Sequence, residues 1–223
     1  MLSIVSTPIG NLGDITLRGL ETLKTCAAVA CEDTRVTGQL LKHLGLEKKE
    51  LISLHGYSDP RRTEGVVERL KLGEHIVLVS DAGTPGISDP GFLLVSKARA
   101  AGVKVEAVPG AAAFLAALSV SGLPIHNFRY LGFLPLKKGR QTLLKTFVAE
   151  EDTIVFYESV HRIERTLMEL AEVLTTQPER RVVVGRELTK MHEEVVDATV
   201  ATLPDAARAI TKKGEFVVMI GPL

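Results

Sequence analysis

The sequence is short of net charge, cysteine and aromatic residues, and it holds no long apolar run. Its 27 Lys and Arg balance 27 Asp and Glu, so the basic excess of a strongly basic nucleic-acid binder is missing. A local basic patch still suits an RNA partner. The two cysteines, Cys26 and Cys31, flank a short apolar run. They lack the paired spacing of a zinc site and read as buried thiols of a reducing compartment. The six histidines are scattered, so no metal constellation is expected. Met1–Ser6 is too short for a signal peptide and has no basic flank. No apolar run approaches membrane-spanning length. A soluble, cytoplasmic protein is expected. Low-complexity segments and short internal repeats are absent too.

What is present is a chain of 223 residues, comfortable for two domains. The first half alternates strand and helix. Strands are predicted at 2–6, 27–30, 51–54, 75–80 and 103–108. Helices are predicted at 16–25, 37–44, 63–72, 92–101 and 111–120, several stopped by glycine. Such alternation means a mainly parallel sheet covered by helices on both faces. A boundary is expected near Gly122–His126, giving domains 1–122 and 123–223. In the second half strands are predicted at 129–134, 153–157, 181–188, 195–203 and 216–220. Helices are predicted at 141–149, 160–174 and 205–210, and several strand connections read as antiparallel. The fold class is α/β, with a parallel-sheet N-terminal domain and a mixed-sheet C-terminal one.

The most unusual stretch is Ser80–Gly91, SDAGTPGISDPG, with three glycines, two prolines and two aspartates. It follows an apolar strand and precedes a helix, and in α/β proteins ligands bind in such loops. Thr7–Asp14, TPIGNLGD, follows the first strand. It lacks the G-x-G-x-x-G spacing, and Pro8 removes an amide that would cradle phosphate. A turn packed against an uncharged or cationic ligand is expected there. Cys31–Arg35, CEDTR, ends the second strand and carries two readings. In one, Asp33 or Thr34 caps a helix. In the other, Glu32 or Asp33 orients or deprotonates a substrate hydroxyl while Arg35 holds a phosphate.

In the second half, Tyr157-Glu158-Ser159 and Arg186–Lys190 (RELTK) each end a strand. Strand-end capping with surface ion pairs is one account of them, and a site is the other. His161 reads as a first-turn helix residue. Leu134–Lys145, LPLKKGRQTLLK, is the densest basic segment, with Lys137, Lys138, Arg140 and Lys145. It is either a solvated loop or a contact to a phosphate backbone.

Together the segments TPIGNLGD, CEDTR, VSDAGTPGISDPG, VPGAAA, GLP, GFLP, FYES, RELTK and GEFVV closely resemble one family. They run in order through residues 1–221. The family is the tetrapyrrole-methylase-like, or class III, S-adenosylmethionine-dependent methyltransferases, in the branch that acts on ribosomal RNA. The resemblance implies 2′-O-methylation of a cytidine ribose in 16S ribosomal RNA of the small subunit. It implies a homodimer of two-domain chains, with S-adenosylmethionine in the cleft between the domains. It implies donor contacts from Pro8, from Asp81, Gly83, Thr84 and Pro85, from Ala112 and Ala113, and from Tyr157 and Leu188. A ribose hydroxyl must lose its proton to attack, so a base or strong acceptor is expected. Glu32, Asp33 and Glu187 are the candidate carboxylates, Lys190 their cationic partner and Arg35 an RNA contact. Members usually continue past the GEFVV strand with a small helical segment, while this chain stops at Leu223. RNA binding is then expected to be weaker than in the family, and the donor site unaffected.

Two other readings compete. Methylases of porphyrinoid precursors share the architecture, although few aromatics are available here to stack on a macrocycle. A non-catalytic assembly factor on ribosomal RNA is the second, mildly disfavoured by the clustered carboxylates. A nicotinamide oxidoreductase would need a glycine fingerprint that is missing.

Overall fold

The computed structural model describes residues 1–54, 60–88 and 91–223. By contacts the chain divides into two compact units, Met1–Ala112 and Ala113–Leu223.

The first unit runs β1 (Leu2–Val5), α1 (Leu17–Thr25), β2 (Ala28–Cys31), α2 (Thr34–His43), β3 (Glu50–Ser53), α3 (Pro60–Lys71), β4 (Ile76–Leu78), α4 (Phe92–Ala100) and β5 (Val105–Val108). All five strands are parallel, in the order β3-β2-β4-β1-β5. A parallel sheet is buried on both faces, so the inner strands β2 and β4 are apolar throughout rather than alternating, while the edge strands β3 and β5 carry Glu50 and Glu106. Alternate residues still point to opposite faces. Leu2, Ala30, Ile76 and Leu78 pack against Val66, Leu70, Leu94 and Ala98 of α3 and α4. Val5, Val29, Cys31, Val77 and Val79 pack with Leu23, Cys26 and Leu41 around α1 and α2. Both thiols are free and buried, and burial raises their pKa values. Helix α2 starts earlier than its apolar spacing predicts because Asp33 caps it.

The second unit runs α5 (Ala113–Val120), β6 (Phe128–Phe133), α6 (Arg140–Thr146), β7 (Thr153–Glu158), α7 (Ile163–Val173), β8 (Arg181–Arg186), β9 (Glu194–Thr199), α8 (Leu203–Ala209) and β10 (Phe216–Ile220). Its sheet order is β6-β7-β10-β8-β9. β6 and β7 are parallel and the other pairs antiparallel, which is the mixed sheet expected. Ile163, Leu167, Leu170 and Leu174, the apolar stripe read from the sequence, are fully buried in its core. β9 ends four residues before the predicted limit because Thr202 Oγ1 accepts the Thr199 amide at 3.0 Å and turns the chain into α8.

The division at Ala112 falls ten residues before the expected boundary. Helix α5 has an apolar sequence that suits either unit, but it packs on β7 and β10. Among the described residues no helix is long and apolar enough to cross a membrane.

Candidate functional site

In the first unit, four strand exits are tied to one another. Thr7 and Gly83 form an isolated antiparallel bridge, with Thr7 N–H to Gly83 O at 2.8 Å and Gly83 N–H to Thr7 O at 3.1 Å. The β1 and β4 exits are thus bound through backbone. The hydroxyl of Thr84 donates to Ala111 O at 2.9 Å. Its one proton is then used, so Ser6 Oγ, 2.8 Å away, donates to Thr84 Oγ1. The β5 exit joins the set through this relay. Packing explains Gly110: a Cβ there would lie 2.8 Å from Ser6 Cβ. Finally, Asp33 N–H donates to Asp81 Oδ1 at 3.0 Å, which ties in the β2 exit.

This arrangement gathers the residues that the resemblance assigns to the donor in the first unit. Gly83 is held through its backbone and Thr84 by its hydroxyl relay. Pro8, Pro85 and Ala112 are buried, and Asp81 is exposed. Among the described residues Asp81 makes no ion pair. Asp89 and Pro90 of the glycine-rich stretch lie outside the described residues.

Asp33 takes the capping role. Its carboxylate accepts Arg35 N–H at 2.8 Å and the Arg35 side chain through Nε at 3.0 Å. The Arg35 hydrogen bonds hold its carboxyl far below the usual range. Arg35 itself is exposed, with its guanidinium engaged by Asp33. Glu32 is half-buried at the end of β2, and its carbonyl accepts Ser53 Oγ at 3.4 Å.

In the second unit the β8 exit is a bonded knot. Glu187 and Thr189 adopt left-handed backbone, with φ of 50° and 67°, a conformation that costs a non-glycine residue about 1 kcal/mol or more. Lys190 Nζ bridges Glu187 Oε1 at 2.8 Å and Glu215 Oε2 at 3.0 Å. The Glu215 amide donates to the same Glu187 oxygen at 3.0 Å. The Lys190 hydrogen bond depresses the Glu187 pKa. Burial works to lower the Lys190 pKa, but the bonds to Glu187 and Glu215 raise it overall. Both groups are therefore charged at neutral pH. Leu188, between them, is buried.

At the β7 exit, Glu158 is fully buried. It pairs with Arg162 at 2.8 Å and lies 3.8 Å from Arg140, and it accepts Thr166 Oγ1 at 2.7 Å. Arg140 also binds Glu169 at 2.8 Å. The expected phosphate contact at Arg140 is therefore corrected. Its side chain is 4% exposed and spent on two carboxylates, whereas Lys137 and Lys138 of the same segment are exposed. Tyr157 is half-buried and makes ring contacts with Tyr130 and Phe133 at 5.6 and 5.5 Å. Ala113 opens α5 and is half-buried. The ring contacts escape sequence reading because Phe133 is out of phase with Phe128 and Tyr130 in strand alternation. The glycine between them is the signal. Among the described residues no cluster of His, Cys, Asp or Glu suits a metal.

Comparison with known proteins points one way. A family model described as Tetrapyrrole (Corrin/Porphyrin) Methylases matches residues 1–204. A Xylella fastidiosa (strain Temecula1) protein, ribosomal RNA small subunit methyltransferase I, is 49% identical over 222 residues, covering 98% of this chain and 80% of its own. The protein of the same name from Escherichia coli O157:H7 is 46% identical over 225 residues, covering 98% and 77%. Among solved structures, uroporphyrin-III C-methyltransferase from Thermus thermophilus, in complex with S-adenosylhomocysteine, aligns with a TM-score of 0.64 and 21% identity. That alignment covers 98% of this chain and 96% of the other, and it shows the shared fold.

Proposed function

The chain belongs to the tetrapyrrole (corrin/porphyrin) methylase family, with the ribosomal RNA small subunit methyltransferases I among its relatives, and from that premise we propose its reaction. It is an S-adenosylmethionine-dependent methyltransferase that methylates the 2′-hydroxyl of a cytidine ribose in 16S ribosomal RNA. It works in the cytoplasm as a homodimer, on the RNA of the small subunit. The observation that carries the reading is the tied set of strand exits in the first unit, together with near-half identity to the ribosomal relatives along almost the whole chain.

The donor set suits the cofactor. Residues 6–11, 79–88 and 109–112 contain no Lys or Arg, and Asp81 is an exposed carboxylate with no ion pair among the described residues. A site of backbone groups and one exposed carboxylate, with no cation in these three loops, fits a cationic sulfonium better than a phosphate. When bound, S-adenosylmethionine supplies an activated methyl group, so the protein's work is alignment and proton removal. Pro8, Asp81, Gly83, Thr84, Pro85 and Ala112 would hold the donor from the first unit. Ala113, Tyr157 and Leu188 are the remaining residues proposed to contact it.

Glu32, Asp33 and Glu187 are the carboxylates proposed to hold or accept the ribose 2′-proton. A carboxylate held ionised is a weak base but a strong acceptor, so Asp33 and Glu187 fit orientation of the hydroxyl, with Lys190 setting the Glu187 carboxylate in place. Arg35, Lys137 and Lys138 would meet RNA phosphates. The test is transfer of labelled methyl from S-adenosylmethionine to undermethylated small subunits, run beside a porphyrinoid acceptor. Label in the ribosomal RNA alone supports the reading. Label in the porphyrinoid alone moves the chain to the other branch of its fold. Donor binding with neither product would make it a non-catalytic RNA-binding factor.

A further inference from the structure

The scarce aromatics are not spread evenly. Of seven Phe and three Tyr, five form one row in the second unit. Phe128 lies 6.1 Å from Phe114, Phe114 stacks on Tyr130 at 4.4 Å, Tyr130 meets Tyr157 at 5.6 Å, and Tyr157 meets Phe133 at 5.5 Å. Phe133 ends the row and is 56% exposed.

Its place there depends on a bulge. Between the Tyr130–Val155 and Phe133–Tyr157 pairs, β6 advances three residues while β7 advances two. Gly132 has φ of 61°, the left-handed backbone that accommodates an extra residue in a bulge. Plain alternation would send Phe133 to the opposite face from Phe128 and Tyr130. The extra residue returns it to their side, while Leu131 packs on the core. A sheet built only for stability gains nothing by turning a phenylalanine ring out to water.

The segment that follows is held firmly. Arg162 donates to Leu134 O at 3.1 Å and Arg140 to Pro135 O at 3.3 Å. Both arginines are anchored by the buried Glu158. Beyond these fixed carbonyls come Leu136, 71% exposed, and exposed Lys137 and Lys138, with which no carboxylate pairs among the described residues.

A solvent-facing ring on a rigid mount beside unpaired cations is the arrangement that binds single-stranded nucleic acid. The ring stacks a base and the cations take the backbone. We propose that Phe133 is a stacking platform for an unpaired nucleobase of the RNA substrate, with Lys137 and Lys138 binding the adjoining phosphates. This deepens the RNA reading above and rests on it.

The test measures binding of the full-length chain to a short single-stranded RNA by fluorescence anisotropy. The same strand with abasic sites at its centre is the comparison. Phe133→Ala is expected to weaken binding of the intact strand about 5- to 100-fold and to leave the abasic strand nearly unaffected, with an unchanged unfolding midpoint. Phe133→Tyr keeps the affinity. Lys137→Ala or Lys138→Ala weakens both strands and lowers the salt slope by about 0.7. Equal loss on both strands, no loss on either, or no binding by the unmutated chain overturns the proposal. So does a Phe133→Ala variant that changes oligomeric state while binding RNA normally, because a second copy would then cover the ring. If subunits are methylated but Phe133→Ala binds the strand as well as the parent chain, the platform fails and the function stands. If the ring dependence appears without methylation of any subunit, the function fails and the platform stands.

Discussion

Asp33 and Glu187 show how a residue's partners decide its chemistry. Each is a carboxylate at a strand exit, and each is held ionised by a neighbouring cation, Arg35 in one case and Lys190 in the other. Replacing Glu32, Asp33 and Glu187 singly by the amide is expected to lower kcat by about 10²-fold or more at the residue that takes the proton. Donor affinity, measured by calorimetry, should hold. Full activity in all three variants would reject the assignment. The Glu187 shift also makes a stability statement. Its folded pKa lies below the unfolded value of about 4.3, so its contribution is complete above that value. It is lost as pH falls through the lower folded one. Thermal unfolding of the parent chain and Glu187→Gln should differ at pH 7 and converge on acidification through this window. A gap that persists below it would show that packing, not ionisation, carries the effect.

At the scale of elements, loops are placed by the strands that feed them and fixed by bonds between loops. The β1, β4 and β5 exits are joined by the Thr7–Gly83 bridge and the Ser6–Thr84–Ala111 relay, with Gly110 admitting Ser6. Gly110→Ala is therefore expected to weaken S-adenosylmethionine binding by pressing on Ser6, and Ser6→Ala, which keeps the Cβ and loses the relay hydroxyl, should weaken it less. Calorimetry on the two variants checks this, and an unchanged affinity in Gly110→Ala would contradict it. Most elements were legible in the sequence because parallel strands are continuous apolar runs, and because α7 carries its stripe at Ile163, Leu167 and Leu170. The loops at the β1, β4 and β5 exits were legible as loops too, since Gly and Pro gather there. What escaped was set by pairing in space. In β6 the local signal is Gly132 itself, and only the register against β7 shows that it bulges there. Nothing local to the basic segment says that Arg140, alone among its cations, turns inward to Glu158 and Glu169.

Across the whole molecule, those inward charges divide stability from binding. Arg140→Ala leaves Glu158 and Glu169 short of a buried partner, so it should destabilise the fold by about 3–5 kcal/mol as read by urea unfolding. Lys137→Ala should change stability by roughly 0.5 kcal/mol or less and act on RNA affinity instead. A stable Arg140→Ala protein with weakened RNA binding would return Arg140 to the phosphate-binding set. The central claim is that the methyl group goes to a ribose oxygen of the small-subunit RNA. It is tested most directly by labelling undermethylated small subunits with methyl-labelled S-adenosylmethionine, then hydrolysing the RNA in alkali. A 2′-O-methyl group blocks cleavage of the adjoining phosphodiester, so the account predicts label in an alkali-resistant dinucleotide with a 5′-cytidine. Label in a mononucleotide would mean base methylation and would contradict it.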